Sequence, residues 1–223
     1  MEIPALSKAE SEEQAGVAAG AKPFIGPRPG IVTRKGWGAD ESLRERNFAY
    51  TKTVKAAFVH HSATGNNYTC AQAPPSCEVS TATTSRAVAG GTSATTSPST
   101  SAGKSTKAAP GCDEGRTGAH TLGFNSNSMG IAVLGTFTSV NPPAAAVTAI
   151  AKLTAWKLGL FGANPKGKVT LVSGGSNKYA KGRKVKLNVI SGHRDGFATE
   201  CPGARLYKKL GTARTSSAGL QGR

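Results

Sequence analysis

The chain has 223 residues, with 28 Lys and Arg against 12 Asp and Glu, for a formal charge of +16. That length suits one domain with a sizeable core plus tails, no apolar run approaches the roughly 18 residues of a membrane-spanning helix, and residues 1–21 lack the basic start and apolar stretch of a signal peptide. So large a cationic excess points to a polyanionic partner; because the basic residues have no interleaved aromatics for base stacking and no helix-turn-helix or RNA-binding signature, an acidic polymer ranks above nucleic acid.

Residues 1–28 are rich in Ala, Gly, Glu and Pro, and Pro23, Pro27 and Pro29 punctuate the exit. This composition predicts a linker or N-terminal tail with at most one loose helical turn, and a domain spanning 29–210. Residues 54–60 read as a short apolar strand, in which alternation sets His60 on the face of Phe58 and Ala56 and turns His61 away. Residues 80–107 are almost wholly Thr, Ala, Ser and Gly, and no Phe, Tyr or Trp occurs between Tyr68 and Phe124. Such a stretch buries too little apolar surface to offset its ordering entropy, so 75–116 reads on composition as a disordered insertion or a mucin-like stalk.

Order returns at 128–137, a continuous apolar run that suits a central strand buried on both faces. Asn141-Pro142-Pro143 offers a cap and a first turn, after which Val147, Ile150, Leu153, Trp156 and Leu160 recur at helical steps until Gly162. Between 164 and 188, Lys166, Lys168, Lys178, Lys181, Arg183, Lys184 and Lys186 occur without one acid, either as a solvated hairpin or as a binding patch. Val185, Leu187 and Val189 alternate into Gly192 as the last strand. Residues 205–210 suggest a short helix, and 211–223 a frayed C-terminal tail.

The chemistry gathers at the end of that last strand. Ser191-Gly192-His193-Arg194-Asp195 is followed by Thr199-Glu200-Cys201-Pro202-Gly203, setting a histidine and a cysteine eight residues apart across a polar loop. With an imidazole from the His60-His61 pair they make a three-ligand zinc site whose fourth position stays open, the pattern of a catalytic rather than a structural metal.

Four pieces in order carry a resemblance: Arg34-Lys35-Gly36-Trp37-Gly38-Ala39, His60-His61-Ser62-Ala63, Gly118-Ala119-His120-Thr121 with residues 125–130, and the His193/Cys201 loop. The chain resembles peptidoglycan recognition proteins and type 2 N-acetylmuramoyl-L-alanine amidases of the actinobacterial type, over about residues 30–210 apart from 75–116. The resemblance implies an α/β fold with a mixed central β-sheet flanked by helices. It implies a secreted, wall-associated and monomeric zinc amidase acting on peptidoglycan, at the bond between N-acetylmuramic acid and L-alanine. The metal ligands would be His60, His193 and Cys201, the family using the first histidine of the pair. Thr199 would stand beside the attacking water and His120 beside the substrate. Anionic cell-wall polymers fit the charge as further partners.

One family element is missing. A strand of the kind Gly-Trp-Arg-Asp-Ile-Gly-Tyr-Asn-Phe, whose tyrosine helps hold the oxyanion, should fall near 89–97, where this chain reads Ala-Gly-Gly-Thr-Ser-Ala-Thr-Thr-Ser. Written in GC-rich codons and read one base out of register, the family string yields these nine residues. Two compensating frame changes, near Pro74-Pro75 and between Cys112 and Thr117, therefore stand beside a genuine insertion as readings of 75–116. A chain lacking the tyrosine strand could also be a recognition module that binds peptidoglycan without cleaving it. Of the cysteines other than Cys201, Cys70 matches a position that actinobacterial members pair in a disulfide; the partner, Cys77 or Cys112, stays open, and under the frame reading both are by-products of the shift.

Overall fold

The computed structural model describes residues 2–17, 24–33, 36, 51–67, 93–96, 106–108 and 120–223, with 93–96 and 106–108 described by backbone alone. The cysteines at 70, 77 and 112, most of the 34–39 run and most of 75–116 lie outside the described residues.

The sheet is built on two strands whose apolar runs leave no polar face: β3 (Ala56–His61) and β6 (Ser128–Val133). They pair parallel from Ala56 opposite Ser128 to His61 opposite Val133. Burial on both sides is what parallel central strands require, and Ala57, Phe58, Val59, Ile131 and Val133 are all fully or almost fully buried. Both strands differ at their ends from the sequence expectation: β3 starts two residues later than 54, and β6 stops at Val133, because Gly135 takes a positive φ of 117° and turns the chain before Phe137.

Around this pair stand β1 (Glu2–Ile3), β2 (Ile31–Thr33), β4 (Ser93–Thr96), β5 (Thr106–Ala108) and β9 (Ile190–Gly192), in the order β1-β2-β5-β4-β6-β3-β9. Pairing is parallel from β4 through β6 and β3 to β9, and antiparallel at β4–β5 and β1–β2. The sheet is therefore mixed, as expected. Two of its strands, β4 and β5, come from the Thr/Ser-rich segment, and β4 lies against β6 at the centre. Threonine is β-branched and suits a pleated strand even where it offers little to a core.

One face of the sheet is covered by helices α2 (Ala144–Gly159) and α4 (Ala204–Gln221), through Ile150, Leu153, Trp156, Leu206, Leu210 and Ala213 against Ala57, Val59, Ile131 and Val133. The other carries an antiparallel ribbon of β7 (Lys168–Val172) and β8 (Lys184–Asn188), whose Leu171, Val185 and Leu187 pack on Ala56, Phe58 and Phe124. Alternation along β3 thus divides the two cores: 57 and 59 face the helices, 56 and 58 the ribbon.

Three elements depart from the sequence reading. Helix α2 starts after Pro143, not at Asn141, and Pro143 caps it without a side-chain bond; a residue before proline is kept out of helical backbone, so Asn141 and Pro142 are both held extended. The N-terminal stretch holds a real helix, α1 (Lys8–Gln14), closed by a capping box between Ser7 and Glu10 and tied back by Lys8 to Ile25 O and by Arg28 to Gln14 and Pro4. The expected frayed tail is the second half of α4. Its Gly211 and Gly219 weaken a helix by about 1 kcal/mol each, yet Ser217 bonds Thr154 at 3.0 Å and Gln221 donates to Ala155 O at 3.0 Å, and this docking on α2 outweighs the propensity.

The turn into α4 gives a stability test. Gly203 has φ of 88°, and a Cβ there would collide with the Phe137 carbonyl group, which also accepts from Arg205 N at 3.0 Å. Gly203→Ala should cost about 3 kcal/mol and lower the melting temperature by roughly 6–12 °C; an unchanged melting curve would contradict this packing.

Candidate metal centre

Strands β3 and β9 run parallel and adjacent, with Val59 opposite Gly192, so the chain leaves both at the same carboxyl end of the sheet, where open α/β sheets hold their ligands. His60 is the penultimate residue of β3. His193 directly follows β9, opening the short helix α3 (His193–Gly196), and its ring centroid lies 4.4 Å from that of His60. Cys201 comes from the loop beyond α3. Arg194 N donates to Cys201 O at 2.9 Å, folding that loop back so that the thiol lies 3.8 Å from His60 Nδ1 and accepts from His61 N at 3.4 Å.

Ligand atoms of His60, His193 and Cys201 all lie within 4.8 Å of one another. Two ligands of a tetrahedral zinc, with bonds of about 2.3 Å to sulfur and 2.0 Å to nitrogen, stand about 3.5 Å apart, so small shifts close the cluster on an ion. The donor set fits a metal for a second reason. His60 Nε2 is buried and has no hydrogen-bond partner, while Nδ1 meets only the thiol. Leaving a buried polar atom unpaired costs stability, so the imidazole is not held there by the fold's own hydrogen bonds. His61, by contrast, accepts from Phe137 N at 3.3 Å through Nδ1 and is outside the cluster, as alternation along β3 requires.

The other two predicted residues lie at the rim. Thr199 Oγ1 accepts from Cys201 N at 3.2 Å, which leaves its hydroxyl proton free to donate. His120 packs its ring edge-on to His60, 5.6 Å between centroids. Ser128 gives its proton to Phe124 O at 2.5 Å, so its oxygen accepts from His120 Nε2 at 3.1 Å and His120 Nδ1 accepts from Thr121 Oγ1 at 3.0 Å. Both nitrogens of the neutral ring are thereby partnered. Gly130 permits this packing, since a Cβ there would meet the His120 side chain at 2.8 Å.

Sequence reasoning missed Asp195 and Tyr207. Asp195 accepts from Gly192 N at 2.9 Å and from Tyr207 Oη at 2.7 Å, clamping the turn that presents His193 onto α4. The signal was available in the carboxylate two residues after the histidine.

Burial sets the charge state of the centre. It lowers His60 well below the usual 6.5, helped by the neighbouring His120, His193 and His61. It brings His193 down to about 4, with His61 adding to the effect, and His120 to about 3, with His193 adding and the Ser128 backbone opposing. Burial also pushes the Cys201 thiol up to about 11, against the hydrogen bond from His61 N. Unfolded histidines take a proton near pH 6.5, whereas these stay neutral in the fold until about pH 4 or 3. As pH falls below 6.5 the unfolded state therefore binds more protons, and stability drops through the window down to about pH 4. The urea midpoint of the metal-free protein should be flat between about pH 7 and 8, below the range where an unfolded thiol ionises, and fall steadily below 6.5; a midpoint constant from pH 7 to 4 would rule this out.

A model of the family described as N-acetylmuramoyl-L-alanine amidase matches residues 50–204. Among solved structures, Drosophila peptidoglycan recognition protein SA is 20% identical, with a TM-score of 0.58 over 82% of this chain and 91% of its own. Peptidoglycan recognition protein LE, solved with tracheal cytotoxin, a monomeric diaminopimelic acid-type peptidoglycan, is 23% identical with a TM-score of 0.57, over 82% of this chain and 92% of its own. The endolysin amidase LysCS of Clostridium intestinale is 15% identical, with a TM-score of 0.51 over 83% and 95%. At these identities the likeness shows the fold. No curated protein matches the chain.

Proposed function

From the premise that this chain belongs to the N-acetylmuramoyl-L-alanine amidase family, we propose that it is a zinc-dependent hydrolase of the amide bond between N-acetylmuramic acid and L-alanine in peptidoglycan. The observation that carries the reading is the convergence of His60, His193 and Cys201 within 4.8 Å. Two of the similar proteins are a peptidoglycan recognition protein bound to a peptidoglycan fragment and an endolysin amidase, which supports a muramyl peptide as the ligand. A secreted, wall-associated setting, a monomeric state and the actinobacterial type belong to the same reading.

Bound between the three ligands, zinc supplies a Lewis acid for the amide carbonyl and makes water acidic enough to attack at neutral pH. The residues do the rest. Cys201, with its proton displaced on metal binding, lowers the net charge of the centre by one unit. Thr199 turns its free hydroxyl proton towards the oxyanion that develops on the carbonyl. His120, neutral throughout the working range, walls the site beside His60 and touches substrate through its ring edge. Asp195 and Tyr207 hold the His193 turn.

A second reading has its own observation. Thr95 occupies the place of the family tyrosine and stands opposite Ala132, the residue that also faces His60, so a recognition module that binds peptidoglycan without turnover fits this chain as well. Release of L-alanine amino termini from purified wall, followed with and without added zinc, separates the two. Zinc-dependent release supports the hydrolase; binding to wall with no release at any zinc level supports the module.

A further inference from the structure

The outer face of the β7–β8 ribbon is not used by anything described so far. Its inner face is apolar and buried, and alternation puts the charge outside: Lys168, Lys184 and Lys186 are exposed, alongside Thr170 and Val172. Register brings them together, because Thr170 pairs with Lys186 and Val172 with Lys184. Lys184 and Lys186 follow one strand at about 7 Å, and Lys168 lies diagonally across from Lys186 at about 7–8 Å. Lys166, Lys181 and Arg183 extend the patch at its two ends, all exposed. Residues 162–194 contain no acid, and among the described residues no ion pair engages these six.

The patch is fastened to the metal loop. In the turn between β7 and β8, Ser176 Oγ donates to Gly196 O at 3.1 Å, Asn177 exchanges two bonds with Ala198, and Lys178 Nζ donates to Arg194 O at 2.6 Å. These contacts all fall between His193 and Cys201. A polymer lying along the ribbon is therefore led to the rim of the centre.

We propose that this face docks an extended polyol-phosphate polymer, with its phosphates on the lysine rows. A repeat of six skeletal bonds, as in a three-carbon polyol phosphate, spans about 7 Å, twice the rise of an extended peptide residue, and so matches the lysine spacing. Single-stranded nucleic acid has comparable charge but draws on stacking, and the ribbon's outer face presents no aromatic ring. Tyr179, in the turn, is partly buried, with its edge on Phe124 and with Lys178 and Arg183 over its face. The polymer as a wall component rests on the peptidoglycan reading above; the surface itself does not.

The test uses the full chain and a synthetic glycerol-phosphate oligomer, with affinity read at 50 and 200 mM salt. The triple variant Lys168→Gln, Lys184→Gln, Lys186→Gln should bind at least about tenfold more weakly, with its salt slope reduced by about two to three. A control with the same charge loss, Arg205→Gln, Lys208→Gln, Lys209→Gln on α4, should keep the affinity within about twofold, because these residues lie off the ribbon; far-UV spectra and zinc content confirm that both are folded. Equal loss in the two triples would overturn the proposal in favour of net charge alone, and oligothymidylate bound as tightly as the oligomer would overturn it in favour of nucleic acid. Cleavage of a soluble muramyl peptide should be unchanged in the ribbon variant. Polymer binding without any amidase activity would sink the hydrolase reading and leave this surface standing, whereas activity without polymer binding would do the reverse.

Discussion

Cys201→Ala should strip the protein of nearly all its zinc, from about one equivalent in the wild type, and abolish amidase activity with it. Of the three ligands the thiolate alone brings charge, and the thiol is held protonated by burial, up to about 11. Only a cation in contact with the sulfur can displace that proton at neutral pH, so thiolate and metal arrive together. Removing the sulfur leaves two neutral imidazoles, an arrangement below the three protein ligands of known catalytic zinc sites. His193→Ala should behave similarly. His61→Ala serves as the contrast, since His61 lies on the other face of β3 and bonds Phe137 N; its zinc content should stay near one equivalent. Metal analysis after dialysis against a weak chelator reads all three, and zinc kept in full by both Cys201→Ala and His193→Ala would remove the site.

The centre was legible because its parts obey short-range rules. Alternation along β3 sets His60 and His61 on opposite faces, the family resemblance picks the first of them, and a spacing of eight residues lets Cys201 return to His193. What sequence could not supply was the docking of remote elements. The Ser7-Glu10 capping box is a local signal, but its worth depends on Lys8 and Arg28 tying α1 back to the chain. The second half of α4 is poor in helix formers, and only the buried Ser217 and Gln221, which bond α2, show why it stays helical. In the Thr/Ser-rich segment composition argues against burial, yet backbone pairing to β6 needs no apolar side chain: Ser93–Thr96 gains its place through hydrogen bonds to Gly130–Val133. The ribbon shows both limits at once. Its lysines were countable from the sequence, but whether they formed a face followed from the β7–β8 register.

The register of β4 and β3 on β6 fixes the largest expected gain. The chain as it stands should cleave peptidoglycan slowly, and a version carrying Gly-Tyr-Asn-Phe at 94–97 should be faster by about 100- to 1000-fold, the usual worth of an oxyanion donor. In the alignment of the family strand onto 89–97, the tyrosine falls on Thr95. Thr95 and His60 both stand opposite Ala132, one on each side of β6, in a row where parallel strands bring residues to the same face. Two strand spacings separate them, about 10 Å. A tyrosine carries its hydroxyl a full ring out from the backbone, a reach that suits a carbonyl held at the metal from that row. Thr95→Tyr alone should recover part of the rate and the Gly-Tyr-Asn-Phe version the whole of it, with zinc content equal in these two and in the chain as it stands. Initial rates of L-alanine amino-terminus release at saturating wall substrate give the comparison. Equal rates from the three would mean that Thr199 or another side chain already holds the oxyanion, and that the Ser93–Thr96 strand serves the sheet rather than the chemistry.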